Sequence, residues 1–353
     1  MNVLAELERC RRERWPDVER LIRDTVETWS PAGSLLVEMC AYHLETGGKR
    51  LRAAIPLLTA EALESDPARL VPFAAACEML HNATLVHDDL QDGDETRRGR
   101  ETVWKRWSAA QAINLGDAMF YYTLALLDRL PHAPAERIAT ADLVLRGTLR
   151  VIDGQAREFQ LKDDPAPTAE KYVAVIEGKT AGLFEIPLGG AARLAGAPAE
   201  VVAAVEEAAR HLGVVFQIQD DLLDLYGEKG RGMRGSDIAE GKISVLVAHA
   251  LAHASASDGA RLRALLAKDR ADTTASDVEE ADSLFRSCGA ARHAVREIER
   301  RERIVADHPG LRAVPRLHAL LTGLGDAFLE PIRPVIRELG GGKGPQPEGA
   351  SHR

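Results

Sequence analysis

The sequence predicts an all-α protein, a single-domain bundle of roughly ten or more helices. Three long segments carry this prediction, because apolar residues recur at helical spacing in each and alternating strand patterns are scarce. The segments are residues 70–90, 108–130 and 199–226. Each is apolar on nearly all sides, as expected of helices in the interior of a large bundle. Glycine- and proline-rich stretches between the helical segments predict short connecting loops.

The composition supports a folded core and excludes one kind of partner. Hydrophobic residues make up 45% of the 353 residues, which is enough for a sizeable interior. The formal net charge of −9 argues against binding of nucleic acid, which requires a basic face. No linker divides the chain, so we expect one domain over residues 1–339 and a disordered tail over residues 340–353, which are rich in glycine and proline.

The cysteines and the N-terminus predict a cytoplasmic protein without a membrane anchor. Cys10, Cys40, Cys77 and Cys288 show neither disulfide-framework nor zinc-site spacing, which fits a reducing compartment. Residues 1–20 carry charges throughout and lack the apolar core of a signal peptide. No uninterrupted apolar run approaches the ~20 residues that a membrane-spanning helix needs, so we expect no transmembrane segment.

The same cluster of three aspartates occurs twice in the chain. The clusters are "DDLQD", with Asp88, Asp89 and Asp92, and "DDLLD", with Asp220, Asp221 and Asp224. On a helix this spacing places the three carboxylates within one sector of about 100°. They repel one another unless cations hold them, and such oxygen ligands suit Mg²⁺ bound together with a phosphate group. A solvated charged face is the alternative, but each cluster ends an apolar helix and the repetition argues against coincidence.

Basic residues lie beside glycines and beside the acidic clusters. "GGKRLR" contains Lys49, Arg50 and Arg52, "RRG" contains Arg97 and Arg98, and two "EGK" motifs contain Lys179 and Lys242. Lysine and arginine bind phosphate oxygens through charge-assisted hydrogen bonds. In an acidic protein, this combination predicts two diphosphate sites, one that binds through metal and one that binds directly through basic side chains.

These motifs resemble those of the trans-prenyl diphosphate synthases, the polyprenyl synthetase family. The matching stretches are "GGKRLR", "EMLHNATLVHDDLQDGDETRRG", "GKTAGLFEIP", "FQIQDDLLD" and "GSDIAEGK". The resemblance implies the isoprenoid synthase fold, in which helices surround a central cavity and the two aspartate clusters face each other across it. It also implies a prenyltransferase reaction, the Mg²⁺-dependent head-to-tail condensation of isopentenyl diphosphate with an allylic diphosphate, and assembly as a homodimer.

The resemblance further implies a role for individual residues. The Mg²⁺ ligands would be Asp88, Asp92 and Asp220, with Asp89, Asp221 and Asp224 as further ligands or as hydrogen-bond acceptors behind them. The allylic diphosphate would contact Arg97, Lys179, Thr180, Gln217 and Lys242. Isopentenyl diphosphate would contact Gly48, Lys49, Arg52, His81 and Arg98. The expected cofactor is Mg²⁺, about three ions per active site, with Mn²⁺ as a substitute.

One position departs from the family pattern. Where the family often carries a lysine five residues before the aspartate of its "GSD" element, this chain has Gly232. We therefore expect Arg231 or Arg234 to reach the phosphate instead. The surrounding loop, residues 227–237, is rich in glycine and basic residues and is predicted to act as a lid. His87 receives no role from the motif and is expected to be structural.

The residues one turn before the first aspartate bear on product length. In the family, the fourth and fifth residues before that aspartate help to form the floor of the tail pocket, and here they are the small Thr84 and Ala83. Phe120, Tyr121 and Tyr122 are bulky residues of a neighbouring helix that would either close the cavity or pack in the core. The predicted product is geranylgeranyl diphosphate, with farnesyl or longer polyprenyl diphosphates as alternatives.

Three other functions compete with this interpretation. A class I terpene cyclase uses similar metal clusters but has no need of the basic "GGKRLR" site. A histidine–aspartate metal phosphohydrolase would use His81 and "HDD", but it leaves the second triad unexplained. A non-catalytic subunit of a heteromeric synthase would be expected to lose aspartates, whereas both clusters are complete in this chain.

Overall fold

The computed structural model describes residues 2–227 and 234–340, and these residues are almost entirely α-helical. The helices are α1 (Val3–Trp29), α2 (Leu35–Leu44), α3 (Leu51–Ala62), α4 (Val71–Gln91), α5 (Val103–Arg106), α6 (Ala109–Leu127), α7 (Pro134–Lys162), α8 (Ala169–Lys179), α9 (Gly182–Leu194), α10 (Ala199–Tyr226), α11 (Ser236–Ala239), α12 (Val245–His253), α13 (Ala256–Leu266), α14 (Ala275–Ser287), α15 (Ala290–Asp307), α16 (Pro309–Arg312), α17 (Pro315–Leu329) and α18 (Arg333–Gly340). The prediction of an all-α bundle is confirmed. The helices outnumber the roughly ten expected from periodicity partly because α5, α11 and α16 are single turns of four residues.

The non-helical elements are short. Strands β1 (Thr96–Arg97) and β2 (Arg100–Glu101) form an antiparallel hairpin directly after the first aspartate cluster. Single 3-10 turns cover Pro67–Leu70, Arg270–Asp272 and Glu330–Ile332. Within residues 2–227 and 234–340, no helix combines the length and the apolar character that crossing a membrane requires.

Helices α4 and α10 are the central helices of the bundle. Helix α4 packs against α3, α6 and α9, and nearly every side chain of its first half is buried. Helix α10 packs against α9, α15 and α17. Both helices present apolar residues on most sides, so neighbouring helices surround them as the sequence pattern predicts.

Helix α10 connects two hydrophobic clusters. The N-terminal half, through Leu212, belongs to a cluster formed with α1 to α6 and α9. The C-terminal half, from Val214 to Leu225, belongs to a second cluster formed with α8 and α12 to α15. Because one continuous helix passes through both clusters, the second aspartate triad at its C-terminus lies on a well-packed support.

The backbone ends α4 just after its aspartates. Asp92 is the residue that caps the helix, Gly93 follows with a positive φ of 70°, and the Asp94 N–H donates to the Asp89 carbonyl at 2.8 Å. A glycine in the left-handed region after a helix is the usual device that turns the chain away. The first triad therefore occupies the last helical turn, where the chain leaves for the hairpin.

Candidate active site

The first triad, at the end of α4, is held by side-chain cations. Arg97 of the hairpin donates through its Nε to Asp89 Oδ1 at 2.7 Å, and its Nη2 lies 2.5 Å from the same oxygen. Lys242 donates to Asp92 Oδ2 at 2.9 Å. No described residue donates a hydrogen bond to the Asp88 carboxylate, and burial raises its pKa to about 6 from the usual 3.8, although Lys179 opposes that shift. Asp88 is thus a carboxylate whose charge is favoured by an added cation.

The second triad, at the end of α10, is held mainly by backbone and hydroxyl donors. Asp221 accepts hydrogen bonds from the Tyr172 hydroxyl at 2.6 Å, the Val245 N–H at 2.9 Å and the Gln217 amide at 3.0 Å. Burial nevertheless raises the pKa of Asp221 to about 6. Asp224 accepts from the Ser236 hydroxyl at 2.5 Å, from the Ser236 N–H at 3.0 Å and from the Asp237 N–H at 3.1 Å.

The two lysines predicted to bind the allylic diphosphate both face the first triad. Lys242 connects the end of α4 with the end of α11, since it pairs with Asp92 and lies 2.6 Å from Glu240 Oε2. Lys179 pairs with Glu158 of α7 at 2.5 Å. Burial alone would lower the pKa of Lys179, but the charges of Glu158 and Asp88 raise it above its usual value. Both lysines are therefore charged at neutral pH and available to anionic oxygens.

Thr180 and Gln217, which are both predicted to contact the allylic diphosphate, are hydrogen-bonded to each other. The Thr180 hydroxyl donates to Gln217 Oε1 at 2.7 Å, and the amide of Gln217 continues to Asp221. This approach requires a glycine on α10, because a Cβ at Gly213 would overlap the backbone of Ala181. The pair consequently extends the hydrogen-bond network of the second triad towards Lys179.

The basic residues predicted to bind isopentenyl diphosphate lie around the start of α3. Gly48 has a φ of 122°, and a Cβ there would overlap the Arg98 guanidinium, which donates to the Gly47 carbonyl. Only glycine accepts this combination of backbone conformation and close approach. Lys49 is exposed at the same turn. The structure therefore brings Gly48, Lys49 and Arg98 together.

Arg52 is buried in aromatic surroundings. Its guanidinium carbon lies 3.9 Å from the ring centroid of Phe184 and 5.5 Å from that of Phe216. Burial lowers the pKa of Arg52 to about 10, and its Nε has no hydrogen-bond partner among the described residues. Burial and the charge of Arg52 also lower the pKa of His81 well below its usual value. A neutral imidazole and a desolvated guanidinium therefore lie side by side, an arrangement that an anion would stabilise.

The Arg234 guanidinium makes no described contact with a carboxylate of either triad, although the next residues, Gly235 and Ser236, bind Asp224. Its Nε donates to the Leu225 carbonyl at 2.8 Å, and its Nη2 lies 3.6 Å from Asp282 of α14. The expectation that Arg234 reaches the phosphate finds no contact to support it and remains a prediction. The alternative residue, Arg231, lies with Gly232 and most of the predicted lid outside the described residues.

The residues considered for product length occupy different environments. Ala83 is completely buried in the core, whereas Thr84 is only partly buried and donates to the His81 carbonyl at 2.8 Å. Tyr122 is buried against Ser30, with 2.6 Å between the hydroxyls, and Tyr121 is 72% exposed on the opposite face of α6. Phe120 packs near His87, with ring centroids 5.7 Å apart. Thr84 and Phe120 are thus the candidates that remain for the pocket wall.

The described part of the chain has a cavity beside the triads and a larger one elsewhere. One, of about 260 Å³, lies at the mouth of the site and is lined by Asp92, Glu158, Glu240, Lys242 and Arg270 among others. A larger one, of about 470 Å³, lies between α10, α15 and α17 and contains none of the predicted site residues. The cavity beside the triads is the one that matches the predicted chemistry.

Several residues of the site were not predicted from the sequence. Asp237 is partly buried behind the second triad, and burial together with Asp224 raises its pKa well above the usual value. Because Asp237 belongs to the motif "GSDIAEGK", that motif could have identified it as a site residue. Glu78 accepts from the Ala53 N–H at 3.2 Å and pairs with Arg50 at 3.3 Å, so it caps α3 from a neighbouring helix. Tyr172, Glu158 and Arg270 have no local motif that could have identified them.

Comparisons with known proteins identify the family of the chain. The family model described as polyprenyl synthetase matches residues 33–283. A geranylgeranyl diphosphate synthase of Mycobacterium tuberculosis is 34% identical over 333 residues, covering 90% of this chain and 91% of the relative. A (2E,6E)-farnesyl diphosphate synthase of Mycobacterium bovis is 38% identical over 253 residues, covering 69% of this chain and 68% of the relative.

Solved structures show the same fold. The crystal structure of a polyprenyl synthetase from Streptomyces coelicolor A3(2) superposes with a TM-score of 0.81 at 31% identity, covering 92% of this chain and 99% of that one. The predicted family, fold and enzyme class, a prenyltransferase, are confirmed at this level. The chain belongs to the polyprenyl synthetase family.

Proposed function

We propose that the protein condenses isopentenyl diphosphate head-to-tail with an allylic diphosphate in a Mg²⁺-dependent reaction, and that the all-trans product is geranylgeranyl diphosphate. The observation that supports this proposal is that the aspartates of the two triads differ in their hydrogen-bond donors. Three of the aspartates, Asp89, Asp221 and Asp224, are engaged by internal donors. The family resemblance implies Asp88, Asp92 and Asp220 as the metal ligands, and the Asp92 carboxylate accepts from the exchangeable side chain of Lys242.

The donor set fits Mg²⁺. Among the described residues, no three acidic, histidine or cysteine side chains converge closely enough to enclose a metal on their own. Mg²⁺ prefers carboxylate oxygens, keeps several waters and usually takes only one or two protein ligands beside substrate phosphates. Asp88 and Asp92 of α4 with Asp220 of α10 would hold such ions from two walls, about three per site, with Mn²⁺ as a substitute. Bound Mg²⁺ would neutralise the negative charge that develops on the departing diphosphate.

The basic residues complete the allylic diphosphate site. Lys179 and Lys242 are charged and partly buried, so they bind diphosphate oxygens more strongly than surface lysines do. Arg97 holds Asp89, which leaves the remaining face of its guanidinium for substrate. The allylic C1–O bond breaks in a water-excluded site, and the electron pair of that bond leaves with the diphosphate.

The second substrate binds at the start of α3. Arg52, with an unpartnered Nε and aromatic walls, supplies a desolvated cation for the diphosphate of isopentenyl diphosphate, together with Lys49 and Arg98. The alkene of this substrate forms the new carbon–carbon bond with the allylic carbon. A proton then leaves the condensed carbon chain, and the released diphosphate accepts it. The product is an allylic diphosphate one isoprene unit longer.

Product length rests on Thr84 and Phe120. Thr84 is small and partly exposed one turn before Asp88, so the tail of the allylic substrate passes it without obstruction. We expect Thr84→Phe to shorten the product and Phe120→Ala to lengthen it. Product analysis by chain length checks both changes, and an unchanged product in both variants would place the floor elsewhere.

A homodimer is part of the proposal. Helix α7 exposes a row of large apolar side chains, and α6 adds three more beside it. The residues are Ile138, Leu145, Leu149, Ile152 and Phe159 of α7 with Ile113, Tyr121 and Leu124 of α6. The α7 row follows the spacing of a helix–helix seam, and an exposed apolar surface of this kind is typical of a protein interface. The cytoplasmic location and the disordered tail beyond residue 339 remain predictions.

The experiment that tests the function uses the purified full chain with Mg²⁺ and labelled isopentenyl diphosphate. Dimethylallyl, geranyl and farnesyl diphosphates are supplied separately, and products are separated by chain length. We expect linear prenyl diphosphates that end at geranylgeranyl diphosphate, and no product when Mg²⁺ is chelated. A cyclic hydrocarbon from an allylic diphosphate alone would indicate a terpene cyclase. Turnover only after mixing with another synthase subunit would indicate a non-catalytic subunit.

A further inference from the structure

Arg270 lies at the mouth of the site although it comes from a distant part of the chain. It begins the 3-10 turn Arg270–Asp272, between α13 and α14. Its side chain lines the cavity of about 260 Å³ that Asp92, Glu240 and Lys242 also line. No motif of the sequence analysis includes this residue.

The guanidinium of Arg270 connects the two walls of the site. Nη1 donates to the backbone carbonyl of Asp92 at 3.0 Å, and Nη2 donates to Asp94 Oδ1 at 3.0 Å. Nη2 also lies 3.4 Å from Glu240 Oε1, on the segment that follows α11. One side chain therefore joins the end of α4 to the segment that carries Lys242.

The anchors of Arg270 are themselves fixed. The carbonyl of Asp94 accepts from the Trp104 indole and from the Thr102 hydroxyl, each at 2.8 Å. The carbonyl of Glu240 accepts from Lys162 Nζ at 2.6 Å. A planar guanidinium that reaches three acceptors held in this way restricts how far the two walls can separate.

Lys242 and Arg270 bind different atoms of Asp92. Lys242 binds the carboxylate oxygen Oδ2, an atom that a Mg²⁺ ion would also use. Metal binding would therefore displace Lys242 from Asp92 and direct it towards a diphosphate. Arg270 binds the backbone carbonyl of Asp92 and the side chain of Asp94, so both carboxylate oxygens of Asp92 stay available. Its contacts are compatible with the metal-bound state.

We propose that Arg270 is a positioning residue that braces the turn at Asp92 and Asp94 against Glu240, and so orients the Asp92 carboxylate for the Mg²⁺–diphosphate group of the allylic substrate. This inference rests on the proposed function. The brace acts on the allylic side of the site, because none of its contacts involves Gly48, Lys49 or Arg52.

The test compares Arg270→Gln, Arg270→Lys and the control Arg261→Gln in the full chain. Arg261 is an exposed arginine of α13 that pairs with Glu280 at 2.6 Å, away from the cavity. Binding of inorganic pyrophosphate at fixed Mg²⁺ is measured by calorimetry, and KM is measured for both substrates. We expect Arg270→Gln to raise the Kd of pyrophosphate and the allylic KM roughly tenfold. This is about the factor by which the loss of a hydrogen bond to a charged group weakens binding.

The other measurements separate positioning from general damage. The KM of isopentenyl diphosphate should stay within about twofold, because its site is not braced by Arg270. Arg270→Lys should recover part of the loss, and Arg261→Gln should match the wild type. Asp94→Asn should weaken pyrophosphate binding as well, and the double variant with Arg270→Gln should be no weaker than the poorer single variant. If Arg270→Gln folds poorly, Asp94→Asn alone tests the brace, because it changes one anchor of Arg270 without changing Arg270 itself.

Several results would overturn the inference. They are an unchanged pyrophosphate Kd and allylic KM in Arg270→Gln, an equal rise of KM for both substrates, or additive effects of Arg270→Gln and Asp94→Asn. If the wild type itself neither elongates a substrate nor binds pyrophosphate with Mg²⁺, the proposed function fails together with the inference. If the wild type turns over and Arg270→Gln is equally active, the inference about Arg270 fails while the proposed function stands.

Discussion

At the end of α4, no described residue donates a hydrogen bond to the Asp88 carboxylate, and Asp92 faces the movable side chain of Lys242. At the end of α10, by contrast, Asp221 and Asp224 each accept three hydrogen bonds, several of them from backbone N–H groups. The two triads share their spacing but differ in their donors. Backbone N–H groups bind Asp221 and Asp224, whereas the donor to Asp92 is an exchangeable side chain.

The second triad has a structural task that the first one lacks. The Val245 N–H that binds Asp221 opens α12, and the N–H groups of Ser236 and Asp237 that bind Asp224 open α11. Free N–H groups at a helix start need acceptors, and carboxylates are the most favourable ones. Asp221 and Asp224 therefore anchor the chain that follows α10. The partners of the first triad are side-chain cations, which can exchange with substrate and metal.

The largest expected effect is on turnover. Asp88→Ala, Asp92→Ala and Asp220→Ala should each reduce kcat at least about 100-fold, because each would remove a ligand of the Mg²⁺ that neutralises the departing diphosphate. Steady-state elongation assays with saturating substrates measure the loss. Asp142→Ala, which removes an exposed surface aspartate paired with Arg146, is the matched control. Near-normal turnover in any of the three site variants would remove that residue from the metal ligands.

The second-largest expected effect is on the free energy of unfolding, which should respond differently to substitutions in the two triads. Asp221→Ala should lower the free energy of unfolding by about 2–4 kcal/mol, since it leaves the buried Tyr172 hydroxyl and Val245 N–H without an acceptor. Asp88→Ala leaves no described donor unpaired and removes a partly buried charge, so the metal-free protein should be as stable or more stable. Chemical denaturation with chelator present measures both. An equal loss of stability in the two variants would contradict the division between the triads.

The pH dependence of stability sharpens the comparison. The folded-state pKa of Asp88, about 6, lies above its usual 3.8, so the folded protein holds this proton more tightly than the unfolded chain does. The contribution of Asp88 is thus favourable at low pH and is lost as the pH rises from about 4 to about 6. Its size is at most about 3 kcal/mol. The difference in unfolding free energy between the metal-free wild type and Asp88→Ala should change by this amount over that window, and no change would contradict the raised pKa.

The smallest expected effect comes from one donor of the second triad. Tyr172→Phe removes one of the three hydrogen bonds to Asp221 and should cost about 1 kcal/mol of stability. Turnover should persist, because the Val245 N–H and the Gln217 amide still hold the carboxylate. Melting curves and kcat values measured on the same preparation check this. A loss of turnover as large as that of Asp88→Ala would mean that Asp221 itself binds metal.

Much of the fold and part of the site could be predicted from the sequence. Helical periodicity and the glycine- and proline-rich breaks identified the long helices, because burial on most sides leaves a pattern along the chain. The motifs identified the residues that meet in space, such as Thr180 with Gln217 and Arg98 with Gly48. The spacing of the apolar residues of α7 is visible in the sequence, but the charged residues between them made this row difficult to recognise.

The division between the triads could not be predicted. The donors to Asp221 come from Tyr172, 49 residues earlier, and from Val245, 24 residues later. Arg270 lies 178 residues from Asp92. Contacts of this range depend on how helices pack, and neither spacing nor local propensity contains that information. The contacts of Arg234 with the Leu225 carbonyl and with Asp282 depend on packing in the same way, and its phosphate contact stays a prediction.

The most direct test of this account is an anomalous-scattering experiment on crystals grown with Mn²⁺ and a non-reactive thio analogue of an allylic diphosphate. The account predicts Mn²⁺ peaks ligated by carboxylate oxygens of Asp88, Asp92 and Asp220, with Asp221 and Asp224 still bonded to the N–H groups that open α12 and α11. Mn²⁺ ligated by Asp221 or Asp224, with those N–H groups released, would contradict it.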